Sequence, residues 1–216
     1  MDDSLRLRAR AARVEIASGA LRGPALLALL LSVPFADRDA WLDELLGIEE
    51  LPEDVPELPR ESVAYLPTGV EEILATVLDE VPVGPEDEFV DLGSGLGRVV
   101  ILAHLLTGAR ARGVEIQEPL VQSARARCAA LALDQAVSFV HANAAEVELD
   151  GSIFFLYAPF SGQMLAQALA RLEAVARRRP IVVCAVGVEF PGVSWLVRRK
   201  TSQRVPALTL YESAAA

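Results

Sequence analysis

The residues best suited to chemistry lie in a glycine-rich segment, residues 90–98, which reads V-D-L-G-S-G-L-G-R. An apolar run at 88–92 leads into it and another at 99–106 leads away, which predicts a strand, a tight turn and a helix. Glycine adopts positive φ freely and lets a ligand approach the backbone. The start of the helix offers unpaired N–H groups to a polar ligand group. The residues predicted to contact a ligand here are Asp91, Gly93, Ser94, Gly95 and Gly97.

The spacing of the glycines decides which ligand is expected. A dinucleotide fingerprint reads G-x-G-x-x-G, whereas this segment reads G-x-G-x-G, with the acid Asp91 two residues before the first glycine. A phosphate loop needs Gly-Lys-Ser/Thr, but Arg98 and Val99 follow Gly97 here. The segment therefore predicts a nucleoside site without a pyrophosphate.

A second acid follows at a suitable distance. Residues 113–116 read G-V-E-I and predict a short strand that ends in Glu115. A carboxylate at the tip of the strand after the glycine turn is how α/β folds bind ribose hydroxyls. We therefore expect Glu115 to bind a ribose.

The order V-D-L-G-S-G-L-G resembles the first motif of class I S-adenosylmethionine-dependent methyltransferases. The resemblance implies a seven-stranded sheet with one antiparallel strand and S-adenosylmethionine as the cofactor. It also implies that Glu115 and Ile116 lie at the ribose, and that Asn143 and Ala144, after a strand at 137–141, lie at the adenine. An Asn amide oxygen can accept a hydrogen bond from the exocyclic amine, although Asp is more usual there.

Two further segments match places that the family uses near the transferred methyl group. Tyr65-Leu66-Pro67-Thr68-Gly69 precedes a helix predicted at 70–78, with Thr68 as its N-cap and Glu71 as capping-box partner. Methyltransferases of this class often place such a segment over the methionine end of the cofactor, which makes Tyr65 and Thr68 cofactor-binding candidates. The Tyr-Pro-Thr order is also weakly similar to the seven-strand lysine methyltransferases that act on nucleosomes.

Residues 157–160, Tyr-Ala-Pro-Phe, stand where the family has its fourth motif. Nucleic-acid amino-methylating enzymes carry Asn or Asp, two prolines and an aromatic residue there. In this chain Tyr157 replaces the first residue and Ala158 the first proline. That departure weighs against base methylation, and Tyr157 is the residue predicted to contact the methyl acceptor.

The amino-acid composition limits the binding partners and the cellular compartment that we expect for this protein. The 216 residues carry a net charge of −10, which weighs against non-specific nucleic-acid binding. The two cysteines, Cys128 and Cys184, have neither metal-ligand nor disulfide-framework spacing, so we expect no metal and a cytoplasmic protein. The apolar run at 25–31 is too short to span a bilayer, which predicts no membrane partner. A protein side chain or a small molecule is therefore expected as the methyl acceptor ahead of a nucleic acid.

The pattern predicts a three-layer α/β fold with a mainly parallel sheet and a terminal antiparallel strand. Residues 1–60 predict a helical cap, with helices at 3–17, 25–33 and 40–46, and a linker rich in proline and acids; residues 61–216 predict the methyltransferase domain. The last two strands are expected at 190–197 and 207–211, with Arg198, Arg199 and Lys200 at the turn between them.

Two other functions stay open. The chain could be a catalytically silent nucleoside-binding module that acts through a partner protein. It could also be a dinucleotide-linked oxidoreductase, although the G-x-G-x-G spacing counts against that.

Overall fold

The computed structural model describes residues 1–50 and 53–214. Three helices come first, followed by an alternation of strands and helices and a closing pair of strands. The helices are α1 (Asp3–Ala17), α2 (Gly23–Leu31), α3 (Arg38–Leu46), α4 (Val70–Leu74, continued by a π-helical segment, Ala75–Glu80), α5 (Arg98–Thr107), α6 (Glu118–Ala130) and α7 (Gly162–Ala176). The strands are β1 (Glu88–Leu92), β2 (Arg110–Glu115), β3 (Val137–His141), β4 (Ile153–Tyr157), β5 (Val182–Val186), β6 (Leu196–Thr201) and β7 (Leu208–Ser213).

The strands of the described residues form one seven-stranded sheet in the order β3-β2-β1-β4-β5-β7-β6. The neighbouring strands from β3 to β5 pair in parallel, whereas β7 pairs antiparallel with both β5 and β6. This arrangement confirms the predicted mainly parallel sheet with an antiparallel C-terminal strand. The strand order reverses at β1 and β4, which is where open α/β sheets bind their ligands.

The alternation of side chains along the central strands gives the sheet two apolar faces. In β4, Phe154 and Phe155 are both fully buried but belong to different apolar clusters, because successive side chains point to opposite faces. One cluster contains residues of α1–α6, and the other contains residues of α7. The three layers predicted from the sequence are therefore present.

The N-terminal helices pack onto the sheet's helical layer. Leu5, Ala9, Ala12 and Ile16 are the buried residues of α1, as their helical spacing predicts. Together with Trp41 of α3 they belong to the same apolar cluster as α5. The predicted helices of the cap are therefore formed and share a core with the sheet.

Two local predictions were wrong. Thr68 is not the N-cap of α4: the cap residue is Gly69, and the Val70 N–H donates to Asp39 Oδ1 at 2.8 Å, since α3 lies beside this end. Arg198, Arg199 and Lys200 are not at a turn but within β6. Strand β6 lies at the sheet edge with only Leu196 buried, so its sequence lacks the alternation that usually marks a strand.

The basic residues of this region are paired with acids of the same chain. Arg199 pairs with Glu212 and Lys200 with Glu80, each at 2.6 Å. Arg204, in the loop after β6, pairs with Glu71 and with Asp79. They therefore do not form an open cationic surface.

Candidate functional site

A cavity lies at the carboxyl ends of β1, β2, β3 and β4, and we refer to it as the strand-end cavity. Its volume is about 60 Å³. Eight of the residues predicted from the sequence to form the site line it: Tyr65, Thr68, Gly93, Glu115, Ile116, Asn143, Ala144 and Tyr157. Asp91, Ser94, Gly95 and Gly97 lie beneath or beside it and are not part of its wall.

The glycine turn is held at the end of β1 by its own backbone. The N–H groups of Gly93 and Ser94 both donate to the Val114 carbonyl, at 2.8 and 3.1 Å, which draws the turn onto β2. Gly97 has φ +83° and begins α5; a β-carbon there would lie 2.5 Å from the Phe139 ring of β3. Only glycine therefore lets the turn pack this closely on the sheet.

Ser94 has its hydroxyl below the turn. A β-carbon added to Gly113 of β2 would meet the Ser94 side chain, so this hydroxyl faces the sheet rather than the cavity. The hydroxyl is buried and has no hydrogen-bond partner among the described residues. Because the side chain faces the sheet, Ser94 can contact a ligand in the cavity only through its backbone.

Glu115 joins the end of β2 to the glycine turn. One carboxylate oxygen accepts from the Gly95 N–H and the other from the Gln117 N–H, both at 2.9 Å. Burial raises the pKa of Glu115, and these backbone donors oppose the rise. The acid predicted to bind ribose is thus fixed in the cavity wall by two peptide groups.

Asp91 lies under this arrangement. Its side chain is buried, and burial together with the nearby Glu115 carboxylate raises its pKa well above the usual range. Two carboxyl groups this close in a buried place disfavour double ionisation. Asp91 therefore belongs to the floor of the site, and its predicted contact with a ligand stays a prediction.

Asn143 forms the turn after β3 while it lines the cavity. Its Oδ1 accepts from the Ala145 N–H at 3.0 Å and its Nδ2 donates to Glu146 at 2.9 Å. This is an Asx turn, which fixes the carboxamide without using all of its hydrogen-bonding capacity. The predicted contact of Asn143 with adenine stays a prediction.

A segment that the sequence indicated only as a linker and a helix lead-in crosses the cavity; we define it as the strap, residues 53–66. Its first anchor is Asp54, whose Oδ1 accepts from Gln117 Nε2 at 2.7 Å and from the Tyr65 N–H at 3.1 Å. The Val55 N–H donates back to Gln117 Oε1 at 2.9 Å. Gln117, which follows the ribose acid by two residues, thereby connects the strap to the cavity wall.

The second anchor is at the start of α7. The Glu61 carboxylate accepts from the N–H groups of Gln163 and Met164, at 2.9 and 2.8 Å, and these bonds lower the pKa of Glu61. The Val63 N–H also donates to the Pro159 carbonyl at 3.0 Å. Glu61 therefore caps α7 from the strap, whereas the side chain of the N-cap residue Ser161 makes no capping hydrogen bond.

Tyr65 places its ring over the glycine turn. A β-carbon added to Gly95 would lie 2.6 Å from Tyr65 Cδ2 and closer still to Cε2. Burial is the main reason that the pKa of Tyr65 is raised to about 12. In this structure the aromatic ring of Tyr65 covers the glycine turn, and its predicted contact with the cofactor stays a prediction.

Tyr157 ends β4 at the mouth of the cavity. Burial, with a smaller contribution from the Glu72 carboxylate, raises the pKa of its hydroxyl. The next residue, Ala158, has φ +40°, a conformation that costs an L-residue free energy and is found most often at functional sites. A half-buried hydroxyl and a strained turn therefore lie together at this end of the cavity, and the predicted contact of Tyr157 with the methyl acceptor stays a prediction.

No role was predicted from the sequence for Gln117 or Glu61, which hold the strap, or for the ion pairs of Arg98 with α3. Gln117 and Glu61 act through backbone groups more than 60 residues away, and no local pattern marks such pairings. The described residues contain no group of three or more metal-ligating side chains that could hold an ion. None of the helices in these residues is long and apolar enough to cross a membrane.

The strand order, the glycine turn and the acid at the end of β2 define a class I, seven-strand methyltransferase fold of the Rossmann-like kind. The comparisons with known proteins agree with this class. A family model described as "Histone methylation protein DOT1" matches residues 68–160, which is less than half of the chain. Over residues 68–160 the chain is thus similar to this methyltransferase family, and its fold is that of the class I S-adenosylmethionine-dependent methyltransferases. No curated protein gives a significant match.

Solved structures with a similar fold include three methyltransferases. An RNA methyltransferase from Salinibacter ruber, in complex with S-adenosyl-L-homocysteine, is 25% identical over 68% of this chain and 92% of that chain, with a TM-score of 0.49. The mitomycin 7-O-methyltransferase MmcR is 13% identical over 68% of this chain and 53% of that chain, with a TM-score of 0.51. A geranyl diphosphate C-methyltransferase from Streptomyces coelicolor A3(2) is 20% identical over 48% and 41% of the two chains, with a TM-score of 0.40. The alignment with MmcR supports the fold.

Proposed function

We propose that this protein binds S-adenosylmethionine in the strand-end cavity and transfers its methyl group to an acceptor held near Tyr157. The observation that carries the proposal is the hydrogen bond from the Gly95 N–H to Glu115, at 2.9 Å, which joins the glycine turn and the ribose acid at the ends of adjacent strands. The solved relative from Salinibacter ruber was crystallised with the demethylated cofactor.

The chemistry of the wall fits an adenosine group. Each Glu115 oxygen accepts one backbone N–H in this structure, and a carboxylate oxygen can accept a second bond from a ribose hydroxyl. Ile116 and Ala144 offer apolar contacts for the adenine ring, beside the Asn143 carboxamide.

The cavity is small for a nucleoside ligand while the strap lies over it. Its volume of about 60 Å³ is well below the roughly 300 Å³ at the lower end of ligand pockets. Since Tyr65 lies on Gly95, displacement of this ring would enlarge the cavity where the methionine end belongs. We infer that the strap opens to admit the cofactor and closes over it.

When bound, the cofactor supplies an activated methyl group on a sulfonium, so the protein has mainly to align the acceptor. The raised pKa of Tyr157 keeps its hydroxyl protonated at neutral pH, which suits a hydrogen bond to the acceptor rather than removal of a proton. Phe160 and Pro159 line the same end and limit the access of water. Tyr157 is therefore assigned to holding the acceptor.

An amino group of a protein is the acceptor that the site favours, ahead of a small molecule. The Glu72 carboxylate lies near the Tyr157 hydroxyl, and a negative charge at this end of the cavity suits a cationic amino group. The description of the matching family model names histone methylation. Three basic side chains, Arg199, Lys200 and Arg204, form ion pairs with acids of the same chain, so they are less available to bind the phosphates of a nucleic acid.

The test is transfer of labelled methyl groups to a cell extract that has been divided into protein, RNA and small-molecule fractions. Label in the protein fraction, lost in Tyr157→Phe, is the expected result. Calorimetry should show binding of S-adenosylhomocysteine, lost in Glu115→Ala but kept in Glu118→Ala, an acid whose side chain is exposed on α6. Binding of nicotinamide dinucleotides in its place would contradict the proposal.

A catalytically silent module remains the second candidate. The observation that favours it is the closed strap, in which the Tyr65 ring lies on the glycine turn. Tight S-adenosylhomocysteine binding with no label in any fraction, at any pH from about 6 to 9, would support the silent module over the enzyme.

A further inference from the structure

Arg98 is a buried cation next to the glycine turn. It directly follows Gly97 as the first residue of α5, and only 5% of its surface is exposed. A positive charge at the N-terminus of a helix opposes the helix dipole, and a buried charge is costly unless it is paired. The buried positive charge of Arg98 therefore needs acidic partners from outside α5.

That compensation comes from the N-terminal cap. Asp43 accepts from Arg98 Nη1 at 2.6 Å and Asp39 from Nη2 at 2.9 Å, so the two carboxylates of α3 hold both ends of the guanidinium. The remaining nitrogen, Nε, is buried with no partner among the described residues. The two aspartates are thus the acids that neutralise Arg98 in this structure.

Asp39 serves a second element of the site. The same Oδ1 that meets Arg98 also accepts from the Val70 N–H at 2.8 Å, and so caps α4 in place of Thr68. Helix α4 begins directly after the strap, and Thr68 lines the strand-end cavity. A single helix of the cap therefore holds the starts of both helices that frame the cavity.

Helix α3 is itself fixed. Trp41 and Leu42 are fully buried, and Arg13 of α1 donates to the Leu45 carbonyl at 2.9 Å and to the Glu44 carbonyl at the end of α3. Arg38, the first residue of α3, pairs with Glu71 of α4 at 2.6 Å. The carboxylates that meet Arg98 are consequently presented from a rigid support.

We propose that Asp39 and Asp43 are positioning residues for the cofactor loop, and that the N-terminal cap is a required part of the cofactor site. The proposal rests on the proposed function, because it assumes that the ligand meets the glycine turn. Without Asp43, Arg98 loses its closest acid and must seek another acceptor. The start of α5 and the Gly97 turn would then shift, and with them the Gly95 N–H that Glu115 holds.

The experiment compares Asp43→Asn and Asp39→Asn with a matched control, Glu44→Gln. Asn keeps the shape of Asp while it removes the charge, and Glu44 is an acid of the same helix whose partner is the exposed Arg10. Calorimetry should show about 5- to 50-fold weaker binding of S-adenosylhomocysteine in Asp43→Asn, a smaller loss in Asp39→Asn and no change in Glu44→Gln. A 5- to 50-fold change corresponds to about 1–2.3 kcal/mol, which is of the order of one hydrogen bond to a charged group.

A purely structural role would change stability alone. Turnover should therefore be measured too: the KM for S-adenosylmethionine should rise in Asp43→Asn while kcat changes little, because Tyr157 and the acceptor end are not touched. Arg98→Lys should also weaken binding, since lysine keeps the charge but cannot bridge two carboxylates.

The outcomes are distinguishable. If wild-type protein binds S-adenosylhomocysteine and Asp43→Asn binds it equally while its melting temperature falls, the aspartates only stabilise the fold and this inference is overturned. If the wild-type protein binds none, the proposed function fails, and this inference fails with it. Should Asp43→Asn not fold, Asp39→Asn, whose aspartate is more exposed, decides the matter by the same affinities.

Discussion

The contact between Tyr65 and Gly95 gives a quantitative prediction for the substitution Gly95→Ala. Gly95 has φ +52°, and the added methyl group would overlap the Tyr65 ring at Cε2 and Cδ2. The substitution thus has two costs, one from the backbone conformation and one from the displaced ring.

The two costs can be separated with a control glycine. An L-residue in the left-handed conformation loses about 1–2 kcal/mol, and the overpacked ring adds about 1–3 kcal/mol. Gly192 has φ +76° with nothing within 4 Å of an added β-carbon, so Gly192→Ala should show the backbone cost alone. We expect Gly95→Ala to be more destabilising than Gly192→Ala by about 1–3 kcal/mol.

The assay is a double-mutant cycle measured by urea denaturation, with unchanged m-values required of each variant. In the Tyr65→Ala background the ring is gone, so Gly95→Ala should cost only the backbone term. The coupling free energy between the two sites should then be about 1–3 kcal/mol. In the Tyr65→Phe background the ring remains, and the full cost of Gly95→Ala should return.

Additive effects would refute this reasoning. If the coupling in the cycle is below about 0.5 kcal/mol, residues 65 and 95 are not in contact in solution. The strap would then not lie on the glycine turn, and the inferred opening for cofactor entry would have no basis.

Three more predictions follow from single contacts. Because burial and Glu115 raise the pKa of Asp91, the wild type should lose unfolding free energy relative to Asp91→Asn as pH rises above the ordinary carboxyl pKa of about 4; a pH-independent difference in urea denaturation would contradict the buried pair. Glu61→Gln should speed hydrogen exchange at the Val63 N–H at neutral pH, since the lowered pKa of Glu61 means that its contribution is present there and lost only in acid; unchanged exchange would mean that this anchor does not hold the strap. Trp41→Phe should change the unfolding free energy by less than about 3 kcal/mol, the lower limit for Trp→Ala, because it also removes a buried N–H without a partner; a larger loss in thermal unfolding would show that the N–H is bonded.

The sequence predicted what depends on local pattern. The bounds of α1 and β3 agree with the predicted 3–17 and 137–141, because their apolar residues repeat at the periods of a helix and a strand. The glycine turn and the acid of β2 were predicted for the same reason, since both follow directly from the ends of apolar runs. These features suffice to indicate the fold and the place of the site.

What depends on distant pairing was not predicted. Thr68 and Glu71 have the spacing of a capping box, but the Val70 N–H donates to Asp39, 31 residues away in the sequence. In the sequence, Arg98 served only to exclude a phosphate loop. Its ion pairs with Asp43 and Asp39, 55 and 59 residues away, became evident only in the structure. A carboxylate's choice among several possible donors depends on packing, which a single sequence does not specify.

The strap illustrates the same limit. Its proline- and acid-rich composition correctly excluded a helix through residues 53–59, but composition carries no information on where an extended segment lies. Its position is decided by side chains of other elements, Gln117 at one end and the start of α7 at the other. The first closing strand, predicted at 190–197, lies at Leu196–Thr201, because an exposed edge strand needs no apolar alternation, whereas the second, predicted at 207–211, is formed at Leu208–Ser213.

The charged edge of the sheet has a consequence for assembly. Strand β6 leaves one side of its backbone unpaired, and Arg198, Arg199 and Lys200 project along it. Cationic side chains on an outer strand deter another chain from adding to the ladder, which protects against fibre-like stacking. Although Arg199 and Lys200 are ion-paired within the chain, the charged triplet therefore disfavours the addition of a further strand at this edge, and replacing it with Thr or Val is expected to promote aggregation.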